Sequence, residues 1–243
     1  MSISLSSFKL YDLPLNQLSI NDKLLINTIN AHSYNVAGKD KEFVEALLLS
    51  NVLLPDGISI VYAVSLLTGQ RLQKIAGDDL FRWEMERIDK TGGKVFFLGS
   101  SENILSKIQN KVSTEYPNIS LKTYSPPYKP HFSFEDDQIM IESINDFNPD
   151  VLFIGMTAPK QEKWAFSHFN ELKVKHVCCI GAVFDFYAGT VNRAPKWIIK
   201  IGFEWFYRFI MEPRRMWRRY LIGNTKFSYS VIREFISLKY QSR

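Results

Sequence analysis

The chain is 243 residues long, 46% hydrophobic and 23% charged, with a formal net charge of +5. That is room for one α/β domain with an extension, and no uninterrupted apolar run approaches the ~18–20 residues of a membrane-spanning helix. The opening "MSISLSSFKLYDLPLN" has no basic region followed by an apolar run, so no secretory signal is expected.

In chain order, "KLLINTIN" (23–30) predicts a strand and "DKEFVEALLLS" (40–50) a helix. "NVLLPDG" (51–57) predicts a short strand stopped by Pro55 and Gly57. "ISIVYAVSLLTG" (58–69) predicts a buried helix closed by its glycine. "DDLFRWEMERIDKTGG" (78–93) predicts an amphipathic helix, with Asp78 and Asp79 favoured by the dipole at its start. "KVFFLGS" (94–100) is a buried strand, followed by a helix from Glu102 to about Tyr116. "ISLKTY" (119–124) is a further strand, and a helix near 136–146 leads to the strand "DVLFIGM" (150–156). "PKQEKWAFSHFNEL" (159–172) predicts a helix with Pro159 at its first position. "KHVCCIGAVF" (175–184) predicts the last strand. Its adjacent Cys178 and Cys179 fit neither a metal nor a disulfide spacing and are expected as buried thiols of a reducing compartment.

Strands separated by helices predict an α/β fold with a parallel sheet and right-handed crossovers, covering residues 1–192. Residues 193–243 change character to helices rich in arginine and aromatics, with Pro195 near the boundary. They carry 12 Lys+Arg against 3 Asp+Glu, while residues 1–192 carry 18 against 22. An anionic partner is expected at that end: membrane lipid, nucleic acid or a phosphorylated substrate. In "RRMWRRY" (214–220) a regular helix turning ~100° per residue puts Arg214, Arg215, Arg218 and Arg219 on one side. Met216, Trp217 and Tyr220 fall on the other, the layout of an interfacial helix. The competing reading packs the aromatics on the body and leaves the arginines solvated.

Ligands of open parallel sheets bind beyond the carboxyl ends of the strands. Those ends hold Thr28, Asn30 and His32; Asp56; Ser100 and Ser101; Thr157, Lys160 and Gln161; and Asp185 and Asn192. Many hydrogen-bonding groups with few carboxylates suit a sugar nucleotide. Asp56 has two readings: an N-cap satisfying free backbone N–H groups, or a general base in a partly desolvated cleft. "GSSENI" (99–104) is either a phosphate-binding turn at a helix start or an ordinary strand-to-helix turn. The histidines 32, 131, 168 and 176 have no metal-ligand spacing, and His168 and His176 are read as surface or core residues. No D-x-D or G-x-S-x-G occurs, so a metal-gripping carboxylate pair and a serine nucleophile are not signalled.

The stretches "LLPDGISIVYA", "GMTAPKQEKW", "FDFYAGTVNRAP" and "GFEWFYRFIMEPRRMWRRYL" resemble the WecG/TagA/CpsF family of bacterial glycosyltransferases, and the match runs from about Leu25 to Phe235. The resemblance implies a Rossmann-like α/β body and a C-terminal appendage that helps close the site at the membrane. It implies an inverting enzyme with no cofactor and no metal, moving a sugar from a UDP-sugar to a polyprenyl-diphosphate-linked saccharide for cell-surface polysaccharide or teichoic acid synthesis. The location implied is cytoplasmic, peripheral on the inner face of the cell membrane.

Carried over by motif, Asp56 would be the general base. Thr28 and Asn30 would line the donor pocket, and Gln161 would orient a sugar, with Asp185 nearby. Arg208, Arg215 and Arg218 would hold diphosphate, leaving Arg214, Trp217 and Arg219 to dock on an anionic membrane surface. The expected donor sugar is of the N-acetylmannosamine type, with a UDP-hexuronic acid or UDP-hexose as alternatives. Remoter alternatives are a non-catalytic membrane protein or a nucleic-acid binder; nucleic acid is not expected as a partner, and a homo-oligomer is open. One departure is "GAVFDF", where Ala182 and Val183 stand in a region that often has a second glycine in the family.

Overall fold

The computed structural model describes residues 4–241, apart from the side chains of Lys196, Lys200, Arg215 and Gln241. A short antiparallel hairpin, β1 (Ser4–Leu5) and β2 (Phe8–Lys9), comes first. It is followed by β3 (Leu24–Ile29), α1 (Ala31–Ala37), α2 (Lys41–Leu48), β4 (Val52–Pro55), α3 (Ile58–Thr68) and α4 (Gly77–Thr91). Then come β5 (Lys94–Gly99), α5 (Glu102–Glu115), β6 (Ser120–Tyr124), α6 (Phe134–Phe147), β7 (Val151–Gly155), α7 (Lys160–His168), β8 (His176–Cys179) and α8 (Val183–Tyr187). The C-terminal part holds α9 (Lys196–Lys200), α10 (Glu204–Met211), α11 (Pro213–Trp217), a π-helical turn at Arg218–Ile222, and α12 (Gly223–Gln241).

Six strands form one sheet in the order β4-β3-β8-β7-β5-β6, every neighbouring pair parallel. This is the expected Rossmann-like α/β architecture. Its central strands are apolar on both faces, as sheets covered by helices on both sides require. Side chains alternate across the sheet. Phe97, Phe153 and Cys178 pack with Phe81 and Phe184 on one face, while Phe96, Leu152 and Cys179 pack with Met140, Ile144 and Trp164 on the other. Both cysteines are buried free thiols. His176 is a core residue: its Nδ1 lies 2.5 Å from Glu84 Oε1 and its Nε2 2.9 Å from the Ser19 carbonyl. His168 is tied at the surface to Glu171 and Asp137.

Several boundaries differ from the sequence expectation. α1 was not anticipated, because "AHSYNVA" is short and lacks an apolar period; it forms because Asn30 caps it. α3 is buried on one side only, through Ile60, Ala63 and Val64, while Tyr62 and Leu66 are exposed. Pro159 is not the first residue of α7 but precedes it, joined to Ala158 by a cis peptide, and the helix stops at His168. β8 stops at Cys179 rather than running to 184. The Ile180 and Gly181 amides both turn onto the Ile154 carbonyl, at 3.1 and 3.3 Å, and the chain coils into α8.

α12 returns to the body and packs against α1 and α3. Phe227 and Val231 are buried with Leu5, Phe8, Leu10 and Phe43, and the Phe227 ring meets Tyr34 edge-on at 5.1 Å. Burying two such side chains contributes roughly 1.5–3 kcal/mol each. No helix among the described residues is long and apolar enough to cross a membrane.

Candidate active site

The carboxyl ends of β3 and β4 lie side by side, and the Asp56 amide donates to the Ile29 carbonyl at 2.9 Å, carrying the parallel ladder one residue past the strands. Asn30 then opens α1: its Oδ1 accepts from the amides of His32 and Ser33 at 3.0 and 3.1 Å, and Ser33 Oγ accepts from the Asn30 amide at 2.7 Å. That double cap occupies the Asn30 oxygen and leaves its amide nitrogen to donate to the Asp56 carboxylate.

Asp56 itself caps nothing. The N-cap position of α3 is Gly57, at φ 105° and ψ 141°, and no side chain caps the helix. Such a backbone strains any residue with a Cβ, and the kink it makes turns the half-buried Asp56 carboxylate toward the cleft. Burial pushes that carboxyl above its ordinary range, and the negative charge of Glu204 adds to the rise. Lys74, the Asn30 hydrogen bond and Arg219 pull the other way.

At the ends of β7 and β8 the chain is clamped by Gln161. Its Oε1 accepts from the amides of Met156 and Gly181 at 3.2 and 3.1 Å, and its Nε2 donates to Glu162 Oε1 at 2.8 Å. One amide hydrogen is left for a ligand, so Gln161 works first as a tie between two strand ends. Glu162 is buried, its Oε2 has no hydrogen-bond partner, and burial raises its carboxyl to about 7 against the Gln161 hydrogen bond. Gly155 is required by close approach: a Cβ there would lie 2.3 Å from the Phe184 ring.

A cleft of about 1320 Å³ opens over these strand ends. Thr28, Asn30, His32, Asp56, Ser100, Ser101, Thr157, Lys160, Gln161 and Asp185 all line it, as expected; Asn192 does not. Ser101 Oγ accepts from the Ile104 amide at 3.5 Å, so "GSSENI" is a capped strand-to-helix turn whose serines also face the cleft. His32 is neutral: burial first, then the charge of Arg219, lowers it to about 4.

The C-terminal part supplies the remaining wall. Arg208 lines the cleft with its guanidinium 4.9 Å from the centre of the Phe186 ring, and its Nε has no hydrogen-bond partner. Arg218 and Arg219 exchange the places expected of them. Arg219 lines the cleft with Tyr220, whereas Arg218 is exposed outside it, over the Trp217 ring at 5.2 Å. Adjacent residues on a helix point about 100° apart, so one of the two faces the cleft while its neighbour faces out. Arg214 and Trp217 are exposed, but Met216 is buried. The side chain of Arg215 lies outside the described residues.

Sequence reasoning missed Lys74, Arg193 and Glu204, and saw Asp78 only as a helix-opening residue. Arg193 joins Asp78 through Nη1 and Glu204 through Nε at 3.1 Å, and Lys74 lies 3.7 Å from Glu204. All four line the cleft. Their signal in the sequence is weak, since the partners lie as far as 115 residues apart.

Fold and cleft define a Rossmann-like α/β protein with a ligand-sized crevice across the carboxyl ends of its strands. Residues 6–241 match the Glycosyl transferase WecG/TagA/CpsF family; the chain belongs to that family and is a glycosyltransferase. It is 35% identical over 212 residues to an N-acetylglucosaminyldiphosphoundecaprenol N-acetyl-beta-D-mannosaminyltransferase of Bacillus subtilis (strain 168), covering 86% of this chain and 79% of the relative. Relatives bearing the same name in Bacillus spizizenii and Staphylococcus aureus (strain MW2) are 31% and 29% identical, covering 84% and 81% of this chain and 77% and 76% of theirs.

Proposed function

We propose that the protein moves an N-acetylmannosamine-type sugar from a UDP-sugar to a polyprenyl-diphosphate-linked N-acetylglucosamine, with inversion, at the inner face of the cytoplasmic membrane. The observation that carries this reading is Asp56, a half-buried carboxylate with raised basicity, facing a cleft that also presents Arg208 and Arg219. The acceptor hydroxyl gives its proton to Asp56 while its oxygen attacks the donor's anomeric carbon. The bond from that carbon to the UDP oxygen breaks, and UDP leaves with the electron pair. Arg208 and Arg219, with Arg215 as a third candidate, neutralise the diphosphate as its charge grows, which is where fixed donors contribute most. Thr28 and Asn30 line the donor pocket, and Gln161 and Asp185 line the same cleft.

The cleft volume exceeds the ~300–1000 Å³ of a single small-ligand pocket, consistent with two reactants meeting in it. The lipid-linked acceptor is supported by the activity for which the relatives are named. Residues 193–243 act as the segment that closes the cleft and rests on the membrane. Support comes from the exposed Trp197, Ile201, Phe203, Phe206, Ile210 and Met211 beside the exposed Arg214 and Arg218, a combination suited to an anionic interface.

The test is UDP release by the full chain from a panel of UDP-sugars with a short-chain lipid-diphosphate-N-acetylglucosamine, EDTA present. Release that needs both the acceptor and Asp56, with UDP-N-acetylmannosamine preferred, supports the reading. Release from a different donor alone replaces the sugar, and a strict metal requirement removes the arginine role.

A further inference from the structure

Glu204 is an odd residue for a cleft that is to hold a diphosphate. A carboxylate facing such a ligand repels it, yet Glu204 lines the same cleft as Asp56, Arg208 and Arg219. Its own partners are cations: Oε2 lies 3.7 Å from Lys74 Nζ, and Oε1 accepts from Arg193 Nε at 3.1 Å. Arg193 reaches on to Asp78, which is buried and also accepts from Arg82 Nε at 2.9 Å. The side chains of Lys74, Arg193 and Glu204 are each less than a quarter exposed. α10 is thus fastened by charge to α4 and to the segment ahead of it.

We propose that Glu204 is a positioning residue for the transfer reaction: carried in on α10, it holds Lys74 and Arg193 to the cleft wall and offsets positive charge around Asp56. The proposal rests on the reading of Asp56 as the base. The charged groups acting on Asp56 are Lys74 from the body, Glu204 from α10 and Arg219 from the π-helical turn; Asn30 adds a hydrogen bond, and the nearby His32 is neutral. Without Glu204 that set would be two cations and no anion, an environment that favours a carboxylate over its protonated form and makes it a poor proton acceptor. With Glu204 present, one positive charge is cancelled and burial keeps the carboxyl basic. Because Glu204 arrives with α10, the base reaches full strength only when the C-terminal segment lies across the cleft.

The experiment uses the full chain in four forms besides wild type: Glu204→Gln, Lys74→Met, the double variant and Glu204→Asp. Two readouts are taken. The first is the titration of the Asp56 carboxyl by 13C NMR, its signal assigned with Asp56→Asn, which needs no substrate. The second is the pH profile of kcat with UDP-N-acetylmannosamine and a short-chain lipid-diphosphate-N-acetylglucosamine. Glu204→Gln should move both the titration and the acidic limb of the profile to lower pH and reduce plateau kcat about 3–10-fold, with KM little changed. Lys74→Met should move both to higher pH, the double variant should return toward wild type, and Glu204→Asp should keep the wild-type midpoint. If neither single variant moves the Asp56 titration and only thermal stability changes, Glu204 is a structural clip and the proposal falls. If Asp56→Asn retains wild-type turnover, the base reading fails instead, whatever the titrations show.

Discussion

Glu162 offers a stability measurement that needs no substrate. Replacing it with glutamine keeps the shape and the acceptor oxygen used by Gln161, and removes the one charge that the site can acquire. In the folded protein burial raises this carboxyl from its ordinary 4.5 to about 7. At about 1.4 kcal/mol per pH unit, that displacement corresponds to roughly 3 kcal/mol. Between these two pH values the folded chain holds a proton that the unfolded chain has lost. Stability therefore falls as pH rises through the window, and the whole penalty stands above it. The residue is buried, so solvent screening removes little of it. The difference in stability between Glu162→Gln and wild type should drift in favour of the variant by on the order of 2–3 kcal/mol between pH 5 and pH 8.5. With a urea slope of roughly 3 kcal/mol per molar, that is a relative movement of the midpoints of about 1 M. Urea unfolding of both proteins across that range, followed by tryptophan fluorescence and circular dichroism together, measures it. A constant difference across the range would mean that Glu162 does not titrate between those limits in the folded state, and that the unpartnered Oε2 is satisfied some other way.

The cleft residues and the packed strand ends carry three further expectations. Asp56→Asn should lower kcat by about 10²–10⁴-fold while leaving UDP-sugar binding by calorimetry near wild type, because it removes a proton acceptor used in the transition state; equal loss of binding would mark a structural role. Arg219→Ala should lower kcat/KM by at least about tenfold, or ~1.4 kcal/mol, whereas Arg218→Ala should weaken binding to anionic vesicles and spare transfer to a soluble acceptor. The reverse pattern would return the cleft role to Arg218. Gly155→Ala should cost about 1–3 kcal/mol in chemical unfolding, since the new methyl meets the Phe184 ring in a packed core; an unchanged midpoint would mean that the ring moves aside freely.

The features legible in the sequence were those that a short window expresses. "KVFFLG" and "DVLFIG" are apolar on both faces because parallel strands are covered twice, and both emerged as central strands. The cleft wall was legible from the polar residues at the carboxyl ends of the strand runs, Thr28 in "KLLINTIN" and Asp56 in "NVLLPDG" among them. The end of β8 was not, because "GAVF" continues the apolar run while Gly181 turns the backbone away from the sheet. Nor was the exchange of Arg218 and Arg219, since adjacent arginines are alike in the sequence and only the packing of the C-terminal part on the body tells them apart. Lys74, Arg193 and Glu204 were invisible for a different reason: each is an ordinary surface-type charge in its own window, and only the fold brings them together. Glu162 stood in plain sight beside Gln161, but nothing local distinguishes a buried glutamate at a helix start from a solvated one.

The packing of α12 with the β1–β2 hairpin has a consequence for how the fold is completed. Leu5, Phe8 and Leu10 share their burial with Phe227 and Val231, and Ser6 Oγ donates to Glu234 at 2.6 Å across 228 residues of sequence. The hairpin thus shares one apolar cluster with α12, besides its packing on α2 and α3. Until α12 docks, that cluster lacks Phe227 and Val231, and the apolar side chains they cover meet water, a condition that favours wrong association. Contacts of such sequence separation also form slowly. The segment carrying Glu204, Arg208 and Arg219 lies between the body and α12 in the chain, so docking of α12 completes the core and ties down the cleft wall together.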